Sequence, residues 1–217
     1  MRFQHWLRGS FALLVVLAIW LAYDLYAPRQ KSLRTFDAMN VARLETAMWR
    51  SYYDKERLSL FAQLAALLRS QYRMPLARSY VTAYHAARSA FVFKAGKERV
   101  DYEQALPHLV SYYAAINAMS DQPFDVARVA QLELEWWIVH RQRAQHQTGD
   151  LAAALAELQA AIFNLPAERF GEHARLRAEA MDIRDPKAES GGVTEADWQR
   201  IDELLNASWQ ALWQAVH

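Results

Sequence analysis

The stretch DVARVAQLELEWWIVHRQRAQHQ, residues 125–147, decides the fold. Within it Val126, Val129, Ala130, Glu133, Trp137, His140 and Ala144 recur at i, i+3, i+4, i+7 and share one stripe of an α-helix. Leu132, Trp136 and Val139 make a second apolar stripe. Most of such a helix must be buried, and Glu133 and His140, two turns apart on the first stripe, go in with it. No period-two alternation competes with this pattern anywhere in the chain.

The same helical period continues on both sides. Asp37 reads as the N-cap of a helix from Ala38 to Tyr72, bent near Asp54–Arg57. Pro75 opens a helix that ends at Gly96, and Asp101 caps another that runs to Met119. Ser120-Asp121-Gln122-Pro123 is a turn. Beyond the opening stretch, Gly149-Asp150 precedes a helix over Leu151–Asn164, stopped by Pro166, and a further helix covers Ala167–Ile183. Arg184–Val193, with its Asp-Pro and Gly-Gly, reads as a loop. Thr194 with Asp197 then caps a last helix, where Trp198, Leu205, Trp209, Leu212 and Trp213 form an apolar face. Short connections between helices imply antiparallel neighbours. The expectation is an all-α bundle, or a stack of α-hairpins, of about six to seven helices over residues 37–217.

Ahead of this domain lies GSFALLVVLAIWLAY, fifteen residues without a charge between Arg8 and Asp24. With Leu25 and Tyr26 it approaches the length that spans a hydrocarbon core of ~30 Å. Arg8 is placed to snorkel, and Trp6, Trp20, Tyr23 and Tyr26 to sit at the interfaces. Residues 1–27 are therefore predicted to be an uncleaved single-pass transmembrane anchor, and residues 28–36 a polar juxtamembrane linker. A cleaved signal peptide and an interfacial helix are the alternatives; the only near match to a cleavage site, Leu25-Tyr26-Ala27, is followed by Pro28. Arg2 and Arg8 before the helix and Arg29, Lys31 and Arg34 after it nearly balance. The short charged start then gives a slight preference for the domain outside, exoplasmic or periplasmic.

Composition narrows the chemistry. A formal net charge of +1 provides no field to recruit nucleic acid. The absence of cysteine removes disulfides, thiolate catalysis and zinc-thiolate or iron–sulfur sites. The eight Trp, ten Tyr and nine Phe supply core area, and the buried Tyr and Trp among them need polar partners. The sequence contains no Gly-rich phosphate loop, G-x-S-x-G elbow or H-E-x-x-H pair.

The polar residues that need explaining are Glu45, His85, Glu133 and His140, each on an otherwise apolar helix face. Leu44-Glu45 with Trp49 repeats as Leu132-Glu133 with Trp137. One reading has the four meet inside the bundle as a carboxylate–histidine site for a divalent metal. The other pairs the two carboxylates with buried arginines such as Arg50 or Arg88 and leaves the histidines hydrogen-bonded in the core. Either account requires a partner for each buried carboxylate. Arg141, Arg143, His140 and His146 form a basic cluster at a helix end, suited to the helix dipole or to an anion.

Two resemblances bear on function. The set Glu45, His85, Glu133 and His140 resembles in residue type the di-iron sites of ferritin-like proteins, while lacking their Glu-x-x-His on two helices. GDLAAALAELQAAIFNLP, residues 149–166, resembles the second half of a tetratricopeptide repeat, with Gly-Asp at the turn and a closing Pro; no second copy at the repeat period is present. That resemblance implies a scaffold that binds protein segments in a groove. The expectation is therefore a membrane-anchored helical domain that is not an enzyme and acts through a protein partner. The alternatives are a bundle holding a metal or apolar cofactor, or a lipid-handling protein.

Overall fold

The computed structural model describes the backbone of residues 2–217 and the side chains of residues 10–187 and 191–217. It is all-helical: α1 (Arg2–Tyr26), α2 (Ala38–Tyr53), α3 (Arg57–Tyr72), α4 (Leu76–Ala95), α5 (Arg99–Glu103), α6 (Leu106–Asn117), α7 (Val126–Arg141), α8 (Asp150–Phe163), α9 (Gly171–Ser190) and α10 (Glu195–Val216). Short 3-10 turns at Arg143–Gln145 and Ala167–Phe170 precede α8 and α9.

Local chemistry explains most boundaries. Asp37 accepts a hydrogen bond from the Asn40 amide, and Asp125 one from the Arg128 amide, each supplying an orphan N–H at a helix start. Thr194 and Asp197 form a reciprocal capping box at α10. The expected bend near Asp54–Arg57 is a full break, because Lys55 takes a left-handed conformation (φ 60°) and separates α2 from α3. The predicted loop at Arg184–Val193 is instead mostly helical, and α9 continues through Pro186 to Ser190. Proline removes one helical hydrogen bond. Tertiary contacts hold the segment in place: Asp185 is bound from α2 and α7, and Lys187 pairs with Asp197 of α10.

From α2 to α10 the helices pack in chain order, α5 excepted, and α10 packs on both α9 and α2. The series closes into a ring. A continuous apolar core runs through it, with Val41, Leu68, Leu109, Ile116, Val129, Leu134, Leu155, Phe170 and Leu212 among its buried members. A second cluster of Trp49, Met181, Trp198, Ile201 and Leu205 seals α9 and α10 against α2.

The N-terminal region departs from expectation in two ways. First, among the described residues no helix is long and apolar enough to cross a membrane. The charge-free run between Arg8 and Asp24 is fifteen residues and rises only about 22 Å at 1.5 Å per residue, short of a ~30 Å core. The predicted single-pass anchor is thus not supported; the side chains of Arg8 and Trp6, assigned to snorkelling and interfacial roles, and of Arg2, counted among the flanking charges, lie outside the described ones. Second, the segment after α1 is no loose linker. Asp24 is buried and accepts a hydrogen bond from the Ala77 amide at the start of α4 (2.6 Å). Arg78 donates to the Ala27 carbonyl (3.0 Å). Lys31 pairs with the chain at Met119 and Asp121 through two backbone hydrogen bonds, and Leu33 and Phe36 enter the core. The foot of α1 is bolted to the ring. Asp24→Ala should expose this: loss of a cap and of the nearest anion to buried Arg78 is expected to cost about 1–2 kcal/mol. Amide hydrogen exchange at Ala77 and across residues 24–31 should accelerate; unchanged protection there would contradict the assignment.

Candidate functional site

The ring's interior holds a polar and aromatic cluster built from six helices. On α2, Glu45 is 2% exposed. Its carboxylate receives two hydrogen-bonding contacts from the Arg177 guanidinium of α9 (2.5 and 2.7 Å) and one from the Trp209 indole of α10 (2.6 Å). Burial works against the charge of Arg177, and Glu45 and then Glu133 more than offset it, leaving the guanidinium raised above its ordinary value. Glu133 of α7 accepts from the Tyr113 hydroxyl of α6 (2.7 Å) and from the Trp137 indole one turn along (3.0 Å). Burial pushes its carboxyl up; the Trp136 indole, the Tyr113 hydroxyl, the Arg177 charge and the Trp137 indole, in that order, oppose the shift. Tyr72 of α3 and Tyr112 of α6 complete the cluster, their phenols pushed up by burial and by the nearby carboxylates.

A second node lies at the far end of the same α7 stripe. His140 Nε2 is 2.5 Å from Asp185 Oδ2, and Arg184 and Tyr53 donate to Oδ1. Burial alone would raise the Asp185 carboxyl. His140 and Arg184 overcome it and hold the group down to about 2. Arg184 lies over the rings of Trp49 (4.3 Å) and Tyr53 (5.2 Å), which fixes the cation from its apolar sides.

The four residues read as a metal set are therefore not brought together. Glu45 is bound by Arg177, Glu133 by Tyr113 and Trp137, His140 by Asp185, and His85 faces His108 across α4 and α6 with Nδ1 atoms 3.4 Å apart. Among the described residues no group of three or more histidines and carboxylates is disposed to hold a metal ion. The arginines first considered as partners are also elsewhere. Arg50 pairs with Glu195 at the surface (2.7 Å), and Arg88 is exposed. The Leu-Glu-x-x-x-Trp echo has no common role either, since Glu45 takes its indole donor from Trp209, not from Trp49. Arg141, from the basic cluster, donates to the carbonyls of Phe93, Lys94 and Gly96, where a cation complements the C-terminal end of α4.

Two other surfaces stand out. A cleft of about 350 Å³ between α5 and α7 is lined by Arg99, Glu103, Leu106, Arg128, Leu132 and Glu135, with Arg99 paired to both glutamates across it. The larger feature is α1, whose Phe11, Leu13, Leu14, Val16 and Ile19 are each at least 62% exposed.

No protein-family model matches the chain, and no curated protein or solved structure shows significant similarity to it.

Proposed function

We propose that the protein is a membrane-attached helical interaction domain. In this reading α1 buries its side chains in the apolar layer of a bilayer, and the ring, held at a set angle, receives a protein partner. The observation that carries it is the distribution of exposed apolar groups on α1. Leu14, Val15, Val16 and Leu17 follow one another around the helix and all are exposed, so no single face is reserved for a groove. A helix that is apolar all round is suited to burial on every side, in lipid or in a large protein core, whereas one that docks on a single protein surface is apolar on one stripe. Burying one such side chain is worth about 1.5–3 kcal/mol, so five together, about 7.5–15 kcal/mol, are of the size needed to offset the ~4–15 kcal/mol entropic cost of association. The bolted foot of α1 supports the second half of the reading, because it transmits the membrane's orientation to the ring. The ring's recognition surface is the inner stripe of α7, where Glu133, Trp136, Trp137 and His140 stay partly exposed.

The test is flotation of the full chain with phosphatidylcholine vesicles. The wild-type chain is expected to float. The Leu14→Lys, Leu17→Lys variant is expected to stay with the soluble fraction, since each change trades an apolar side chain that gains by leaving water for a strongly hydrated charge. A wild-type chain left at the bottom of the gradient, or a variant that floats equally, would sink the reading.

A further inference from the structure

The central cluster is one cation short. Glu45 and Glu133 bring two carboxylates to the ring's interior, and Arg177 brings one guanidinium. Arg177 is committed to Glu45 through both of its terminal nitrogens (2.7 and 2.5 Å). The contacts of Glu133 are with neutral donors, the Tyr113 hydroxyl and the Trp137 indole, with the Trp136 indole also turned toward it. A largely desolvated carboxylate whose nearby cation is bound to another carboxylate is costly, and it recovers that cost by taking a proton or a second cation.

The surroundings favour a cation. Tyr112 and Tyr113 meet at 82° with centroids 4.9 Å apart, and Trp136 and Trp137 meet at 89° and 6.1 Å. Tyr113 and Trp137 turn their O–H and N–H edges to the carboxylate, and in each pair one ring stands edge-on to its neighbour, whose face can attract a cation. The Trp136 indole N–H is buried and turned toward Glu133 without completing a hydrogen bond of normal geometry. The site is also reachable. On α7 the outward positions are Arg128, Gln131 and Glu135, whereas Glu133, Trp136, Trp137 and His140 lie on the inward stripe and yet retain exposure. Tyr112 is half-buried, and the Arg177 side chain is 18% exposed. Groups that face inward and still meet solvent line a concave crevice.

We propose that this crevice binds one organic cation, an ammonium or a guanidinium, against Glu133, supplied either by a free small amine or by a lysine or arginine side chain of a partner. An anion is disfavoured by the formal charge of −1 on Glu45, Glu133 and Arg177 together. The inference rests on the inner stripe of α7 and stands whether or not α1 enters lipid.

The experiment uses the full chain in detergent, with indole N–H resonances followed by NMR and Trp137 assigned through Trp137→Phe. The probes are n-butylammonium, methylguanidinium, the neutral n-butanol, and a short acetylated, amidated peptide with one lysine. A saturable shift of the Trp137 resonance with the two cations, and none with butanol, is expected. Glu133→Gln, checked for a native melting transition, should weaken the cations by about tenfold or more, because a charge-assisted hydrogen bond is lost. Trp136→Phe, which keeps the carboxylate, should weaken them several-fold. Tighter binding of the peptide than of butylammonium assigns the cation to a partner's side chain; binding no tighter than butylammonium assigns it to a small amine. No saturable shift with either cation, an equal response to butanol, or full affinity in a folded Glu133→Gln variant would overturn the proposal. Vesicle flotation does not enter this test, so the two proposals fail separately.

Discussion

Arg177→Met is expected to destabilise the protein by about 3–5 kcal/mol, a large share of the ~5–15 kcal/mol that holds a domain of this kind together. Methionine matches much of the arginine stem, so the loss is electrical more than steric. Without Arg177, the 2%-exposed Glu45 carboxylate keeps only the Trp209 N–H, and Glu133 loses the one cation near it. The damage should be local in origin and global in effect, because Glu45, Arg177 and Trp209 come from α2, α9 and α10, whose packing closes the ring. Adding Glu45→Gln to Arg177→Met removes the stranded charge while leaving an acceptor for Trp209. The double variant should therefore regain a good part of the loss, with a coupling of roughly 1–3 kcal/mol in a double-mutant cycle. Urea unfolding of the four proteins measures this. A single-variant cost below about 1 kcal/mol, or strict additivity, would show that the pair does not hold the ring closed.

Acid should also loosen the same region, starting well above the usual carboxylate range. His173 of α9 is 1% exposed, its Nδ1 is 2.9 Å from the Ser208 carbonyl oxygen, and its ring lies edge-on to Trp209. Burial foremost, and then the Arg177 charge, push the imidazole down from 6.5 to about 4, against the opposing effect of the Ser208 carbonyl and Glu45. Between those values the unfolded chain takes up a proton and the folded chain does not. Stability from this group is thus complete above pH 6.5 and is lost as pH falls toward 4, by up to about 3 kcal/mol at 1.36 kcal/mol per unit. Asp185, held down to about 2, adds its own loss only below the ordinary aspartate range, so the two windows separate. Urea midpoints should fall between about pH 7 and pH 4.5 in the wild-type chain, and His173→Gln should flatten that slope. An equally steep slope in the variant would move the acid sensitivity to another group.

Much of this was legible in the residues. Helical periodicity placed the helices, and Asp37 and Thr194 marked two of their starts because a cap acts on amides two or three positions away. The need of Glu45 and Glu133 for partners was legible too, since both stand on apolar stripes. The partners' identities were not. Spacing reports neighbours on one helix, whereas Arg177 and Trp209 reach Glu45 from 132 and 164 residues away. The same limit hid Asp185, the partner of His140. Asp185-Pro186 read as a loop, because proline's local cost is visible in sequence and the contacts that offset it are not. The apolar run of α1 was plain, but what holds its foot and the following segment to the ring was not, since the partners of Asp24 and Lys31, at Ala77, Met119 and Asp121, lie far along the chain.

The most direct test of membrane attachment uses the chain's lack of cysteine, which makes single-site labelling clean. Spin labels placed singly through Leu14→Cys, Val15→Cys and Val16→Cys point in directions about 100° apart around α1. Electron paramagnetic resonance then compares their accessibility to oxygen, which partitions into lipid, and to a water-soluble nickel chelate, with and without vesicles. Lipid burial predicts that vesicles raise oxygen access and abolish nickel access at all three positions. Protection at one position alone, or nickel access unchanged at all three, would contradict a lipid-seated α1.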